Sequence, residues 1–288
     1  MRRFLVAALA VLLAAGGAFA QSANASPAGR WSISTARGDD QSSVQLRLEY
    51  SDSSDGYSHS SWSSPVALSD AGIPAERLRG PIGPVTFRIQ REPGSFDCTG
   101  SAGEGSGAGQ FRYEPSAKFD DALASRGMGR PSYQQSLELA IASTTLAFVD
   151  QLRASSQHAT VADVVRVVQH GVNPRYVADL AALGYRTASL DDLVRLRDHG
   201  VSTDLIRAVQ AAGYRDLTAG DLVRLADHGV REQYISDMRA AGYTKVTIND
   251  LIALRDHGVT VAFVDRLKAH GYSNLSVRDL IRLRDTGI

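Results

Sequence analysis

One interval, 29 residues, governs the C-terminal part of this 288-residue chain. Gly171, Gly200, Gly229, Gly258 and Gly287 keep it, as do Asp163, Asp192, Asp221, Asp250 and Asp279 and the Gly-Tyr pairs opening at Gly184, Gly213, Gly242 and Gly271. A period of that length, held by several marks in register, restricts the chain to stacked supersecondary units. A single unit of this size cannot bury its own apolar face, so neighbours must cover it.

Each unit reads as two short helices with their ends written in. The first opens on a hydroxyl residue with Asp three places later, as in Thr160/Asp163, Ser189/Asp192, Thr218/Asp221, Thr247/Asp250 and Ser276/Asp279. This is a capping-box variant: the hydroxyl accepts from an early N–H, and the carboxylate reaches back to the positive helix start. Leu193, Val194 and Leu196 supply a buried stripe, and Gly200 followed by Val201 is a Schellman-type stop. The second helix begins near Asn173-Pro174, or at Ser202 in the next copy, and stops at a Gly-Tyr pair. Stacked hairpins of this kind form a solenoid-like array. Weaker copies precede it at Phe119 and Phe148, with a one-residue deletion before Asp163, and Thr286 replaces the usual His as a capping unit would.

Upstream the period becomes two. Trp31 and Ile33, then Val44, Leu46, Leu48 and Tyr50, then Val85, Phe87 and Ile89 alternate with polar residues, the mark of half-buried strands. "EPG" at 92–94 is a turn between strands of an antiparallel meander, and residues 68–80 read as a short helix or turn. The serine-rich stretch 51–64 offers too little apolar area to order itself and reads as a mobile loop. Residues 132–155 lack Pro and Gly and read as one long helix or two joined. The fold class is therefore α+β: a small antiparallel β domain at 30–115, a helical connector with degenerate repeats at 116–158, and αα-hairpin repeats at 159–288.

The chain opens "MRRFLVAALAVLLAAGGAFA", with two arginines, an apolar run and a small-residue exit at Ala20. That pattern is a signal peptide, 1–20, followed by a linker at 21–29. Its apolar run is shorter than the ~20 residues needed to span a bilayer, and no later segment is long and apolar enough. The expectation is an exported protein, periplasmic or secreted, with no integral membrane segment after cleavage. Cys98 is the only cysteine, which excludes an intramolecular disulfide. Basic and acidic residues balance at 31 each, so no global field would hold nucleic acid.

The histidines at 170, 199, 228 and 257 form a ladder that resembles a metal site. Ligands must lie about 2.0–2.2 Å from an ion, whereas equivalent residues on stacked helices stand ~8–10 Å apart. No ion can be shared, so these histidines read as partners of negative helix ends, and neither metal nor cofactor is expected. The aspartates before the Gly stop (Asp198, Asp227, Asp256, Asp285) sit where anions are disfavoured by about 0.3–1 kcal/mol. An i,i+3 pair with Arg195 or Arg224, or a contact with another helix or repeat, would compensate; an inter-helix or inter-repeat contact is the expectation. "GSAGEGSGAG" at 100–109 has neither the lysine nor the strand-to-helix setting of a phosphate loop and reads as a hairpin connection. The tyrosines after the helix-stopping glycines read as packing back on their helices. HExxH and GxSxG are absent, and Cys98, in phase with Phe96, reads as a packed thiol.

The repeat "GY…LS/T..DL..LRDHGV" resembles units of exported bacterial proteins of unassigned function. It is similar to C-terminal extensions of membrane-bound antirepressor metallopeptidases of the β-lactam-sensing type. The stretch "VTFRIQREPGSFDCTGSAGEGSGAGQFRYEPSAKF" resembles the strand segment found before such repeats. The peptidase part is absent here, so no catalytic residue carries over. The resemblance implies a sensing or interaction accessory at the cell envelope, whose partner is another envelope protein. Positions that vary between copies are the candidate recognition surface, with Arg197, Arg255 and Arg284 as a possible partner-binding ridge. The alternatives are a hydrolase using Asp97, His59 or His158 at the junction of the two parts, and a purely structural envelope protein.

Overall fold

The structure is a computed structural model that describes residues 29–35, 43–51, 59–185 and 189–287. The signal-peptide segment, the linker up to residue 28 and serine-rich positions 52–58 lie outside the described residues. Among the described residues six strands form one antiparallel sheet: β1 Gly29–Thr35, β2 Ser43–Ser51, β3 His59–Ala67, β4 Gly83–Gln90, β5 Gly94–Gly103 and β6 Ser106–Pro115. Their order is β3-β2-β1-β6-β5-β4, and a short helix, α1 Ala75–Arg79, lies in the connection between the two edge strands. Period-two patterning sorts the faces: Trp31, Ile33, Leu46, Phe87, Phe96, Cys98 and Phe111 are buried, while Arg47, Arg88 and Thr99 point outward.

Two features of the sheet depart from composition-based expectation. Residues 59–64 belong to β3, where Trp62 pairs with Leu48 and Val66 with Val44. Serine content argues for a loop only in isolation; β2 supplies the backbone partners, and half-buried Trp62 and Val66 supply the face. Pro65 is tolerated there because an edge strand has N–H positions that bond to nothing. The glycine-rich stretch, in turn, is strand on both sides of a two-residue turn, Glu104-Gly105, whose φ angles of 52° and 81° are those of a type I′ hairpin. Gly109 lies opposite both Trp31 and Gly100, and a Cβ on it would overlap the Thr99 carbonyl and the Trp31 ring. These glycines make room for an indole, as cross-strand neighbours do for large side chains.

Twelve helices follow among the described residues: α2 Ala117–Ser125, α3 Tyr133–Ile141, α4 Leu146–Ser155, α5 Val161–Gln169, α6 Pro174–Ala182, α7 Leu190–Asp198, α8 Thr203–Ala211, α9 Ala219–Asp227, α10 Glu232–Ala240, α11 Ile248–Asp256, α12 Val261–Ala269 and α13 Val277–Asp285. Segment 132–155 is thus two helices, α3 and α4, with Ser143 at φ 55° between them. The first helices of successive copies pack on one another, α5 on α7, α9, α11 and α13 in turn, as do the second helices α4, α6, α8 and α10. These two series are called the first and second rows. From α5 onward equivalent helices start 29 residues apart, but α4 starts 28 before α6, which places the deleted residue between the degenerate copies and the regular ones.

The helix ends form as written. Ser189 Oγ accepts from the Asp192 N–H while Asp192 accepts from the Ser189 N–H, and the same box recurs at Thr160, Thr218 and Thr247. At the other end Gly200 takes φ 65° and the Val201 N–H donates to the Leu196 carbonyl at 2.9 Å. Hydrogen bonds from Thr160, Thr218 and Ser276, backbone first at Asp163 and side-chain first at the others, hold the carboxyls of Asp163, Asp221 and Asp279 below the usual range. A lowered folded-state value means that these groups stabilise the array above the ordinary carboxylate range and stop doing so as pH falls through the folded value. Urea midpoints measured from neutral pH to below pH ~4 should therefore fall with acid. An Asp163→Asn, Asp221→Asn variant should fall less steeply; an unchanged slope would show that the caps do not set it.

Helix α3 belongs to two cores. Leu139 packs into the array, whereas Leu137, Ala140 and Ile141 pack into the sheet. Around it the β4–β5 turn is pinned: Tyr113 Oη donates to the Pro93 carbonyl at 2.7 Å and lies 2.8 Å from Ser136 Oγ of α3. Glu92 accepts from the Leu146 N–H at the start of α4. The sheet therefore seats on the first helices of the array and closes that end.

Candidate functional site

The chemically conspicuous side chains converge on the seams between copies. His170 Nδ1 lies 2.7 Å from Asp198 Oδ1, His199 2.7 Å from Asp227, His228 2.8 Å from Asp256 and His257 2.9 Å from Asp285. A carboxylate accepts only, so Nδ1 carries the proton and donates. Each histidine thus clasps the aspartate of the following copy, 28 residues on. The expected inter-repeat contact is the one found; these aspartates pair with the preceding copy's His, and no ion pair joins Asp198 to Arg195 among the described residues. Histidine is the C-cap residue of its helix, so an imidazole N–H meets the carboxylate beside the last turn. The members are partly exposed, 41% and 43% in the first rung, so each is worth about 0.2–1 kcal/mol.

The first and last described copies depart from this pairing. The first regular copy carries Gln169 where later copies carry Asp, and the helix before it offers no histidine at the matching place. The last carries Thr286, whose Oγ1 turns back onto the Arg282 and Leu283 carbonyls. A double-mutant cycle on His228→Gln and Asp256→Asn, read by thermal unfolding, should give a coupling of about 0.2–1 kcal/mol. Strict additivity would mean that the rung is a neighbourhood and not a bond.

Three further ladders run beside it. Gln210, Arg239 and Lys268 donate to the Leu183, Ala212 and Ala241 carbonyls of the preceding copy, at 2.8, 2.7 and 2.9 Å. Tyr185, Tyr214 and Tyr243 donate to the Leu217, Val246 and Leu275 carbonyls of the following one, at 2.9, 2.7 and 3.1 Å. These tyrosines join copies, where the sequence suggested packing on their own helices. Tyr176 and Tyr234 likewise donate to the Val201 and Val259 carbonyls, and burial pushes both phenols up to about 12.

The candidate ridge residues take part in this bonding. Arg197 and Arg255 donate through Nε to the Gly171 and Gly229 carbonyls, and their guanidinium groups lie 5.5 and 5.4 Å from the centres of the Tyr176 and Tyr234 rings. Arg284 lies 5.4 Å from the Phe263 ring. In the copy where that ring position is Leu205, the next copy has Ala226 in place of arginine; Phe148, followed by Val168, is a ring without one. The variation that marked these positions as recognition residues is thus largely matched by an internal partner. All three arginines are nonetheless exposed, with the guanidinium orientation held by ring and carbonyl at Arg197 and Arg255 and by the ring at Arg284.

Of the residues suggested for hydrolysis, Asp97 and His158 share no contact among the described residues. Asp97 lies on the outer face of the sheet in a bidentate pair with Arg88, 2.5 and 2.9 Å, and His158 is exposed between α4 and α5. The side chain of His59 lies outside the described residues. Cys98 is buried and its thiol is pushed up to about 12 by desolvation, so it resists ionisation to a nucleophile. Among the described residues no three of His, Cys, Asp and Glu gather as metal ligands. Sequence reading missed the reach-back donors because Gln, Arg and Lys share a register and a long donor-bearing side chain, but no identity. The co-occurrence of His with an Asp 28 residues on, and of Gln169 with the lack of a histidine at the matching place before it, was the available signal for the first ladder. No helix of the described residues is long and apolar enough to cross a membrane. Comparison with known proteins gives no match: no family model, no curated protein and no solved structure matches the chain.

Proposed function

We propose that the chain is an exported, non-catalytic interaction or sensing accessory at the bacterial cell envelope, whose partner is another envelope protein. The observation that carries this reading is the use of the His, Asp, Tyr and Arg side chains as bonds between copies. Reactive-looking residues are spent on holding an extended surface, which suits recognition of a macromolecule. The resemblance of the repeat to extensions of antirepressor metallopeptidases supports an envelope setting. On this surface Arg197, Arg255 and Arg284 offer guanidinium groups already oriented by ring contacts, joined at Arg197 and Arg255 by a carbonyl, and a fixed donor loses little entropy on meeting a carboxylate.

Quantitative affinity capture from envelope extract tests this. The purified chain should enrich one partner, and Arg255→Glu with Arg284→Glu should reduce its recovery tenfold or more, ~1.4 kcal/mol or above. A melting curve of the variant separates lost contact from lost fold. Recovery unchanged in a folded variant would remove the ridge; absence of any enriched protein would remove the proposal.

A further inference from the structure

The loops that follow α10 and α12 lie side by side, and between them runs a groove of about 460 Å³ whose walls are consecutive copies of the array. Tyr243, Thr244 and Lys245 come from one copy, and Lys268, Ser273 and Ser276 from the next. Tyr243 Oη donates across to the Leu275 carbonyl at 3.1 Å and so fixes the separation of the two loops. Lys268 belongs to the reach-back ladder: its Nζ donates to the Ala241 carbonyl at 2.9 Å, which leaves the other protons of the ammonium for a ligand. Lys245 is exposed and makes no hydrogen bond or ion pair among the described residues. No carboxylate of the described residues lines the groove, and the acids that follow each loop, Asp250 and Asp279, are held by Thr247 and Ser276 at the helix starts. Comparison of copies isolates the charge. At the seam one copy earlier, Asp216 stands in the register of Lys245 and Arg239 in that of Lys268, so an acid offsets a base there. Arg239 is also engaged twice, with the Ala212 and Thr244 carbonyls at 2.7 and 3.4 Å. Between the α10 and α12 loops the same two registers carry two cations.

We propose that this groove is a binding site for a small organic phosphate. The two ammonium groups serve as compact point charges for phosphate oxygens. The Thr244 and Ser273 hydroxyls add neutral donors, and the start of α13 presents the positive end of its dipole. Half-buried Val246 and Leu275 give the organic body an apolar contact, and the volume is that of a small-molecule site. The site is separate from the arginine ridge, which lies at the C-terminal ends of the first-row helices, whereas the groove lies at the start of α13.

The probe is glycerol 3-phosphate, titrated into the full chain labelled for amide NMR at about pH 8, where a phosphate monoester is a dianion. Shifts should saturate and concentrate in the two loops, at Lys268 and at the start of α13. Lys268→Gln removes a cation but keeps a reaching donor, as Gln210 does in an earlier copy, and should weaken binding tenfold or more. Lys245→Asp, which gives this loop the acid that Asp216 supplies one copy earlier, should abolish it. Both replacements already occupy these registers in the array, and a melting curve of each variant confirms that it folds. No saturable shift, shifts that follow the surface arginines instead of the groove, or affinity unchanged in either folded variant would each overturn the proposal. Glutarate bound as tightly as the phosphate would overturn the ligand class. None of these outcomes touches capture of an envelope partner by the arginine ridge.

Discussion

Trp31→Ala should destabilise the sheet by about 3–5 kcal/mol, the largest effect expected of any single truncation in this part of the chain. The indole is 1% exposed, meets Phe87 edge-on at 4.9 Å between centroids and donates from Nε1 to the Thr99 carbonyl at 3.2 Å. Its bed is made by Gly107 and Gly109, which carry no side chain that could collapse into the space. Cavity cost depends on how far the surroundings can relax, and a glycine-lined strand pair held by cross-strand bonds relaxes little. The remaining tryptophan, Trp62, also lies in the sheet, so its emission reports the transition in the variant. A loss below about 1 kcal/mol would show that the glycines are not a bed for this ring, since ordinary large-to-small changes already exceed that.

Leu225→Ala in the middle of the array should cost about 2–5 kcal/mol. Leu225 is fully buried in α9, and its carbonyl receives the Val230 N–H that ends the helix. Stacked arrays draw stability from each unit and its immediate neighbours, so the damage should stay local. The midpoint of the helical circular-dichroism signal should therefore fall further than the midpoint of tryptophan emission, since both tryptophans lie in the sheet. Equal shifts would mean that α3, shared between the two cores, couples sheet and array into one cooperative unit.

The contrast between these sites and the seams is one of solvent. Trp31 and Leu225 are removed from water, where lost packing is not replaced, whereas the His–Asp rungs are wet and individually weak. The seams bind by repetition: five kinds of side-chain bond recur, each tying one copy to its neighbour. Many of the carbonyls they use belong to helix ends, which lack partners within the helix. The ladders are the array's way of satisfying them.

Local chemistry is what the sequence determined by itself. Ser189 and Asp192 face each other across one helical turn, Gly200 can take positive φ, and Leu46 alternates with Arg47; each relation spans a few residues, so spacing alone reveals it. The 29-residue period extended that local reading to an array. What only the tertiary structure decided is which side chain of one copy meets which group of the next. Asp198 finds His170 because α5 and α7 pack side by side, and Arg197 finds Tyr176 through the same stacking. Likewise β3 exists because β2 lies beside it, although its serine-rich sequence argues for a loop. Contacts between elements depend on relative placement in space, which period and composition do not encode residue by residue.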